Sequence, residues 1–324
     1  MLLAGVVEMG MQRRTLLQIS AAAFASALAP SRSFAQASKE VRIGFQKYGK
    51  LVLLKSRGSL EPKLKALGYS VSWTEFQFGP PLLEAINVGS IDFGNTGETP
   101  PVFAQAAGAP IRYVAYEPPA QKGEALLVPK DSPLKSVAEL RGKKVAVGKG
   151  SNAHYLLVKA LEKAGVKYDE ITPVYLAPAD ALAAFDRGAV DAWSIWDPYQ
   201  ASAETTLGAR VLTDATGIVP NTQFYLASQK FVETESKVLD ILLAELREID
   251  SWAKSDIGAV ATQLSASIGI PVPILEVALK RQSYGIKSID AVVLTEQQKL
   301  ADTLYSLKLI PKEVRVAEIA RKPD

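Results

Sequence analysis

Lys149-Gly150-Ser151-Asn152-Ala153-His154 runs directly into an amphipathic stretch, and that order of residue types suits an anion. Glycine lets the backbone approach a ligand, Ser and Asn add neutral donors, and the first N–H groups of a helix lack intrahelical acceptors. Taken alone, Ser151 or Asn152 serves equally well as an ordinary N-cap. Three further loops carry comparable groups: Gln46-Lys47-Tyr48-Gly49, Gly94-Asn95-Thr96-Gly97-Glu98 and Trp193-Ser194-Ile195-Trp196-Asp197. Trp193 and Trp196, three apart after a strand-like run, offer indoles to cover an alkyl or aryl group, although packing inside a lobe is the common fate of a tryptophan. Glu98 is suited either to receive a ligand amine or to brace its own loop. His154 reads as a hydrogen-bonding residue rather than a catalyst, and Asp92 and Asp191 read as turn or cap residues.

Catalytic and metal chemistry find little to work with. The chain has no cysteine and one histidine; the first excludes disulfides, thiolate zinc sites and iron–sulfur clusters, and the second does not suit a histidine-based metal site. No nucleophile elbow, phosphate-loop lysine motif, dinucleotide fingerprint or pair of catalytic carboxylates is present. A formal net charge of +3 over 324 residues, without a basic run, does not suit a nucleic-acid partner. No catalytic residue, metal or cofactor is therefore expected.

The elements that must position these loops come as a degenerate repeat. Leu83-Glu84-Ala85-Ile86-Asn87-Val88-Gly89-Ser90-Ile91-Asp92 returns as Leu182-Ala183-Ala184-Phe185-Asp186-Arg187-Gly188-Ala189-Val190-Asp191. Strands are expected at 41–45, 71–76, 90–93 and 111–115, with helices at 51–67, 81–87 and 100–107 between them. A second unit repeats the alternation: strands at 125–128, 144–147, 171–176, 189–192 and 209–213, helices at 136–140, 153–164, 179–186 and 198–207. Such alternation implies mostly parallel sheets with right-handed crossovers, whose ligands sit beyond the carboxyl ends of the strands. After a strand at 223–228 only helices follow, at 236–254, 257–267, 273–281 and 295–307. Having no sheet of their own, they must cover the first lobe. The expected organisation is lobe 1 from 38–123 and 226–324, lobe 2 from 124–225, and a ligand cleft between them.

Residues 1–37 read as an export signal, removed on maturation. Arg13-Arg14 precedes an apolar run from Ile19 to Leu28, and Ala35-Gln36-Ala37 supplies a small-x-small cleavage pattern. The paired arginines favour the twin-arginine route over the general secretory one, and Met11 makes a cleaner start than Met1. A lipid anchor at the cut would need a cysteine, so the mature chain is expected free in a periplasm.

The strings Asn87 to Pro101, Phe103-Ala104-Gln105-Ala106-Ala107-Gly108-Ala109, Glu117-Pro118-Pro119 and Asp191 to Tyr199 closely resemble the aliphatic sulfonate-binding proteins of bacterial ABC importers. The resemblance runs from about Val41 to Lys312. It implies a type II periplasmic-binding fold whose lobes close on ligand, delivery to a membrane permease with a cytoplasmic ATPase, and no catalysis; the chain is expected to act as a monomer. Carried over by residue, Gln46, Asn95, Thr96, Gly97 and Glu98 match the first-lobe side of the family pocket, and Gly150, Ser151 and His154 the second-lobe anion loop. The family commonly has three hydroxyl residues before this histidine, where this chain has Ser151-Asn152-Ala153. A hydroxyl donor is thus absent at Ala153, and backbone N–H groups would take its place. Trp193 and Trp196 would contact the apolar tail. Rival readings are a binder of taurine or another small sulfur- or nitrogen-containing compound, a thiamine-precursor-synthase-like enzyme, whose chemistry needs several histidines, and the effector-binding half of a regulator, which would carry a DNA-binding helix pair.

Overall fold

The computed structural model describes residues 39–321. The export signal expected over 1–37 lies outside the described residues. From Lys39 the chain lays down β1 (Lys39–Gln46), α1 (Lys50–Arg57), α2 (Leu60–Lys65), β2 (Tyr69–Phe76), α3 (Gly79–Asn87), β3 (Phe93–Gly97), α4 (Thr99–Ala106) and β4 (Ile111–Glu117). It then crosses over and continues as β5 (Glu124–Val128), β6 (Lys144–Val147), α5 (Asn152–Lys163), β7 (Thr172–Tyr175), α6 (Pro178–Asp186), β8 (Ala192–Trp196), α7 (Tyr199–Leu207) and β9 (Arg210–Asp214). β10 (Gln223–Ser228) follows a second crossing and leads into α8 (Gln229–Thr234), α9 (Ser236–Ser255), α10 (Ile257–Ile268), α11 (Val272–Arg281) and α12 (Ala291–Ser306).

Two five-stranded sheets result, ordered β2-β1-β3-β10-β4 and β7-β6-β8-β5-β9. In each, four strands run parallel and one runs antiparallel to both its neighbours, β10 in the first and β5 in the second, and that strand is the one reached directly after a crossing. This is the expected α/β architecture of two lobes, each a mixed, mostly parallel sheet flanked by helices. The repeat extends to single hydrogen bonds. The Asp92 N–H donates to the Arg42 carbonyl at 2.7 Å and its carboxylate accepts the Arg42 N–H at 2.9 Å; the Asp191 N–H donates to the Lys144 carbonyl at 2.8 Å and its carboxylate accepts the Lys144 N–H at 2.7 Å. Both aspartates are structural pins that fix neighbouring parallel segments.

Several boundaries differ from expectation for local reasons. The helix expected at 51–67 is two, because Gly58 takes a left-handed φ of 64° and ends α1. The segment at 136–140 is a single 3-10 turn. The strands expected at 90–93 and 189–192 begin later, as β3 and β8, because Asp92 and Asp191 are occupied as pins. The loops expected to carry Asn95, Trp193 and Trp196 are therefore strand. β10 belongs to the first sheet from Gln223 onward, so the return crossing precedes that residue instead of falling at 226, inside a strand.

The C-terminal helices cover the first lobe. α9 buries Leu239, Leu242, Leu246 and Ile249 at helical spacing against Leu51, Leu54 and Ile43. Burying each such side chain contributes roughly 1.5–3 kcal/mol. The two crossings lie side by side: Ala120 N–H donates to the Asn221 carbonyl at 3.2 Å, Asn221 Nδ2 donates to the Ala120 carbonyl at 2.9 Å, and Gln121 Nε2 donates to the Val219 carbonyl at 3.1 Å. Asn221 has φ 52°, a conformation asparagine tolerates better than most residues. No helix among the described residues is long and apolar enough to cross a membrane.

Candidate functional site

A cavity of about 100 Å³ lies between the lobes, with room for several waters or a small organic anion. It is walled by the carboxyl ends of β1, β3 and β8 and by the start of α5, where this kind of sheet places ligands. Of the residues singled out in the sequence, Gln46, Asn95, Gly97, Ser151, Asn152 and Trp196 line it. Thr96, Glu98, Gly150, Ala153, His154 and Trp193 stand behind that wall.

The turn before α5 is built from within. Gly150 adopts φ 74°, a left-handed conformation that costs glycine little. Its N–H donates to His154 Nδ1 at 3.3 Å, and the Ser151 N–H donates to the Gly148 carbonyl at 3.1 Å. Ser151 Oγ donates to that same carbonyl at 2.6 Å and accepts the His154 N–H at 3.4 Å, so Ser151 is the N-cap. The N–H groups of Gly150 and Ser151 are thus consumed by the turn, contrary to the expectation that they would face an anion. Those of Asn152 and Ala153, in the first turn of α5, find no backbone acceptor. His154 is a buried brace: its Nε2 meets the Tyr168 hydroxyl at 2.9 Å, and burial, followed by the charge of Lys149, lowers its pKa to about 4.

Glu98 supports the backbone. Its carboxylate accepts N–H groups from Asn221 at 3.2 Å and Thr222 at 2.7 Å, which holds the return crossing, and burial raises its pKa to about 7. Of the two readings the sequence left open, bracing is the one its contacts display. The tryptophans separate by strand geometry, since residues three apart in a strand point to opposite faces. Trp193 is fully buried in the second-lobe core, its ring 5.8 Å from that of Phe185, whereas Trp196 is half-buried at the cavity. Trp193 is therefore not a cleft residue.

Arg281 and Lys50 had no distinct signal in the sequence, whereas Asp197 belongs to a loop it singled out. Arg281, at the end of α11, reaches the second lobe, with Nη1 2.7 Å from Glu204 and 3.5 Å from Asp197. Asp197 Oδ1 also accepts the Ala201 N–H at 3.0 Å, and burial raises the carboxyl pKa to about 7 against the pull of Arg281. Behind them Lys50 is fully buried, 2.5 Å from Glu117 and 3.6 Å from Asp250, and it donates to Gln282 Oε1 at 3.1 Å and to the Ser283 carbonyl at 3.0 Å. Tyr225 donates to Glu117 at 2.7 Å, so that carboxylate is already engaged. Among the described residues, no group of His, Asp or Glu could hold a metal ion.

Residues 80–252 match the family model described as NMT1/THI5 like. A protein of Escherichia coli K12 named as an aliphatic sulfonates-binding protein is 44% identical over 292 residues, covering 89% of this chain and 91% of its own. The chain belongs to the aliphatic sulfonate-binding protein family. A further member, from Bacillus subtilis 168, is 31% identical over 87% of this chain and 85% of its own. Among solved structures, the alkanesulfonate-binding protein SsuA of Xanthomonas axonopodis pv. citri, bound to MOPS, superposes on 88% of this family member and 98% of its own chain, with a TM-score of 0.83 and 38% identity. The two-lobed fold expected from the repeat is thus the fold of the family.

Proposed function

We propose that this chain captures an aliphatic sulfonate between its lobes and delivers it chemically unchanged to the permease of an ABC importer, acting as a periplasmic binding protein and not as an enzyme. The carrying observation is the start of α5, where Ser151 and Asn152 line the cleft and the Asn152 N–H has no backbone acceptor, in a chain 44% identical to a relative named as an aliphatic sulfonates-binding protein. A sulfonate is fully ionised at neutral pH and offers acceptors alone, so neutral donors and a helix start suit it. Gln46 and Asn95 bound the first-lobe side, and Trp196 covers the apolar tail. Closure is a hinge motion about the two crossings. Export through the signal at 1–37 and action as a monomer complete the reading.

Calorimetric titration of the mature chain with ethane-, pentane-, octane- and benzenesulfonate, taurine, sulfate and nitrate tests it. Saturable binding of organosulfonates, recovered intact, is expected; failure to capture any of them, or turnover of one, removes the proposal.

A further inference from the structure

Glu124, the first residue of β5, carries a carboxyl group that is fully buried and whose two oxygens both lack a hydrogen-bond partner in the protein. Residues two apart in a strand share a face, so its side chain points with Leu126 and Val128 into the apolar layer that holds Ala153 and Leu157 of α5. A carboxylate ion is costly in such a place, because burial without a partner penalises the charged form.

The charge that acts on Glu124 is that of Glu98, from the other lobe. Glu98 is buried as well, yet its carboxylate accepts the N–H groups of Asn221 and Thr222 in the return crossing. Two buried carboxyls that feel one another do not both ionise, and the hydrogen bonds decide between them: the charge stays on Glu98 and the proton on Glu124. Burial, followed by Glu98, accordingly holds the Glu124 carboxyl well above the usual carboxylate range. Other elements packed here bring no counter-charge. α5 presents Asn152 and Tyr155, uncharged at neutral pH; β8 presents Trp196, with Asp197 beyond it turned to Arg281 and the Ala201 N–H; β9 ends on Asp214, which accepts the Thr216 N–H at 2.8 Å. Among the described residues, no lysine or arginine charge acts on either carboxyl.

The pair straddles the junction of the lobes. Glu98 precedes α4 in the first lobe, and the next residue, Thr99, donates its N–H to Asn152 Oδ1 of the second lobe at 3.0 Å, a contact made across the cleft. We infer that closing the lobes over a sulfonate loads one proton from solvent onto Glu124, so that capture of the ligand is coupled to proton uptake. Parting the lobes breaks the Asn152–Thr99 contact, admits water and lets Glu124 ionise. This rests on the sulfonate reading above and adds a regulation to that site, since a sulfonate does not itself titrate near neutral pH. A carboxyl harder to ionise in the closed form than in the open one makes binding strongest where both forms hold the proton, and weaker as pH rises through the neutral range.

Calorimetric titration with ethane-, pentane- and octanesulfonate in bis-Tris, imidazole and Tris at about pH 7 counts the protons, because these buffers differ in ionisation enthalpy and none is a sulfonate. About one proton should be taken up per ligand bound, and affinity should fall up to about 10-fold per pH unit between about pH 6 and about pH 8. Glu124→Gln keeps the shape of the protonated acid without its titration. It should abolish the uptake, flatten the pH profile and bind about 10-fold tighter or more than the unaltered chain at about pH 8, a gain that no folding defect imitates. Sulfonate binding by the unaltered chain without proton uptake overturns the inference and leaves the sulfonate reading standing. So does an uptake that persists in Glu124→Gln, which places the proton on another group such as Asp197. Binding of no sulfonate at any pH removes both.

Discussion

Asn152 in the first turn of α5 fills the space beside Gly97 at the end of β3, across the cleft. Its Oδ1 accepts the Thr99 N–H at 3.0 Å and its Nδ2 donates to Asn221 Oδ1 at 3.1 Å. One carboxamide thus ties the second lobe to the first lobe and to the return crossing. A Cβ on residue 97 would occupy the volume of that carboxamide.

Gly97→Ala should therefore hold the lobes apart. Sulfonate affinity is expected to fall about 10-fold or more, while the melting temperature of the ligand-free chain changes little. In small-angle scattering the variant should keep its ligand-free radius after ligand is added; affinity equal to that of the unaltered protein would show that closure does not use this contact.

Asn152→Asp separates folding from binding. Aspartate still accepts from Thr99 but cannot donate to Asn221, and its charge stands at a helix start, where a negative group stabilises the helix by about 0.3–1 kcal/mol. Thermal stability should stay close to the original. Sulfonate affinity should drop about 10-fold or more through repulsion between like charges, with sulfate and alkanesulfonates losing alike. A variant that binds as before would place the anion elsewhere in the cleft.

The two tryptophans should part company on mutation. Trp193→Ala empties a fully buried core position and should cost about 3–5 kcal/mol of stability in denaturant melts, with no change in preference among ligands. Trp196→Ala should cost much less stability and weaken octanesulfonate more than ethanesulfonate in calorimetry. Equal losses across the chain-length series would remove the tail-contact role of Trp196.

His154 is the single histidine, so its ring is readable without assignment ambiguity. Because Nδ1 accepts from Gly150, the neutral ring carries its proton on Nε2 and donates to Tyr168. Burial holds its pKa near 4, below the 6.5 of an exposed imidazole. A folded-state pKa depressed in this way means that the unfolded chain takes up the proton first as pH falls. The stability contribution is complete above pH 6.5 and lost progressively toward pH 4, in total about 3 kcal/mol. An imidazole NMR titration should give an apparent pKa near 4, and His154→Gln should flatten the decline in stability between those limits; a titration near 6.5 would contradict the brace.

The lobes were legible because their signals are local. Apolar runs alternate with amphipathic stretches, and the Gly-small-aliphatic-Asp string occurs twice, ending on Asp92 and Asp191. Half of the expected site residues reached the cleft for the same reason: loops at strand ends are fixed by the strands themselves. The misplacements were errors of phase. Once Asp191 is a pin, β8 starts at Ala192 and Trp193 turns inward. Arg281 lies far along the chain from every cleft loop and enters the site only because α11 packs on α7, an arrangement that no local pattern encodes. The loss of the Gly150 N–H to His154 depends on a side chain four residues ahead in a helix, and a sequence offers no ring orientation.

The paired bonds between Ala120 and Asn221 carry a mechanical consequence. Two covalent straps fastened side by side resist sliding and twisting of one half along the other, and leave a swing about the line they share as the soft motion. Unloading cargo at a membrane then requires torque about a single axis. A transporter that grips both halves can empty the protein without melting any strand or helix.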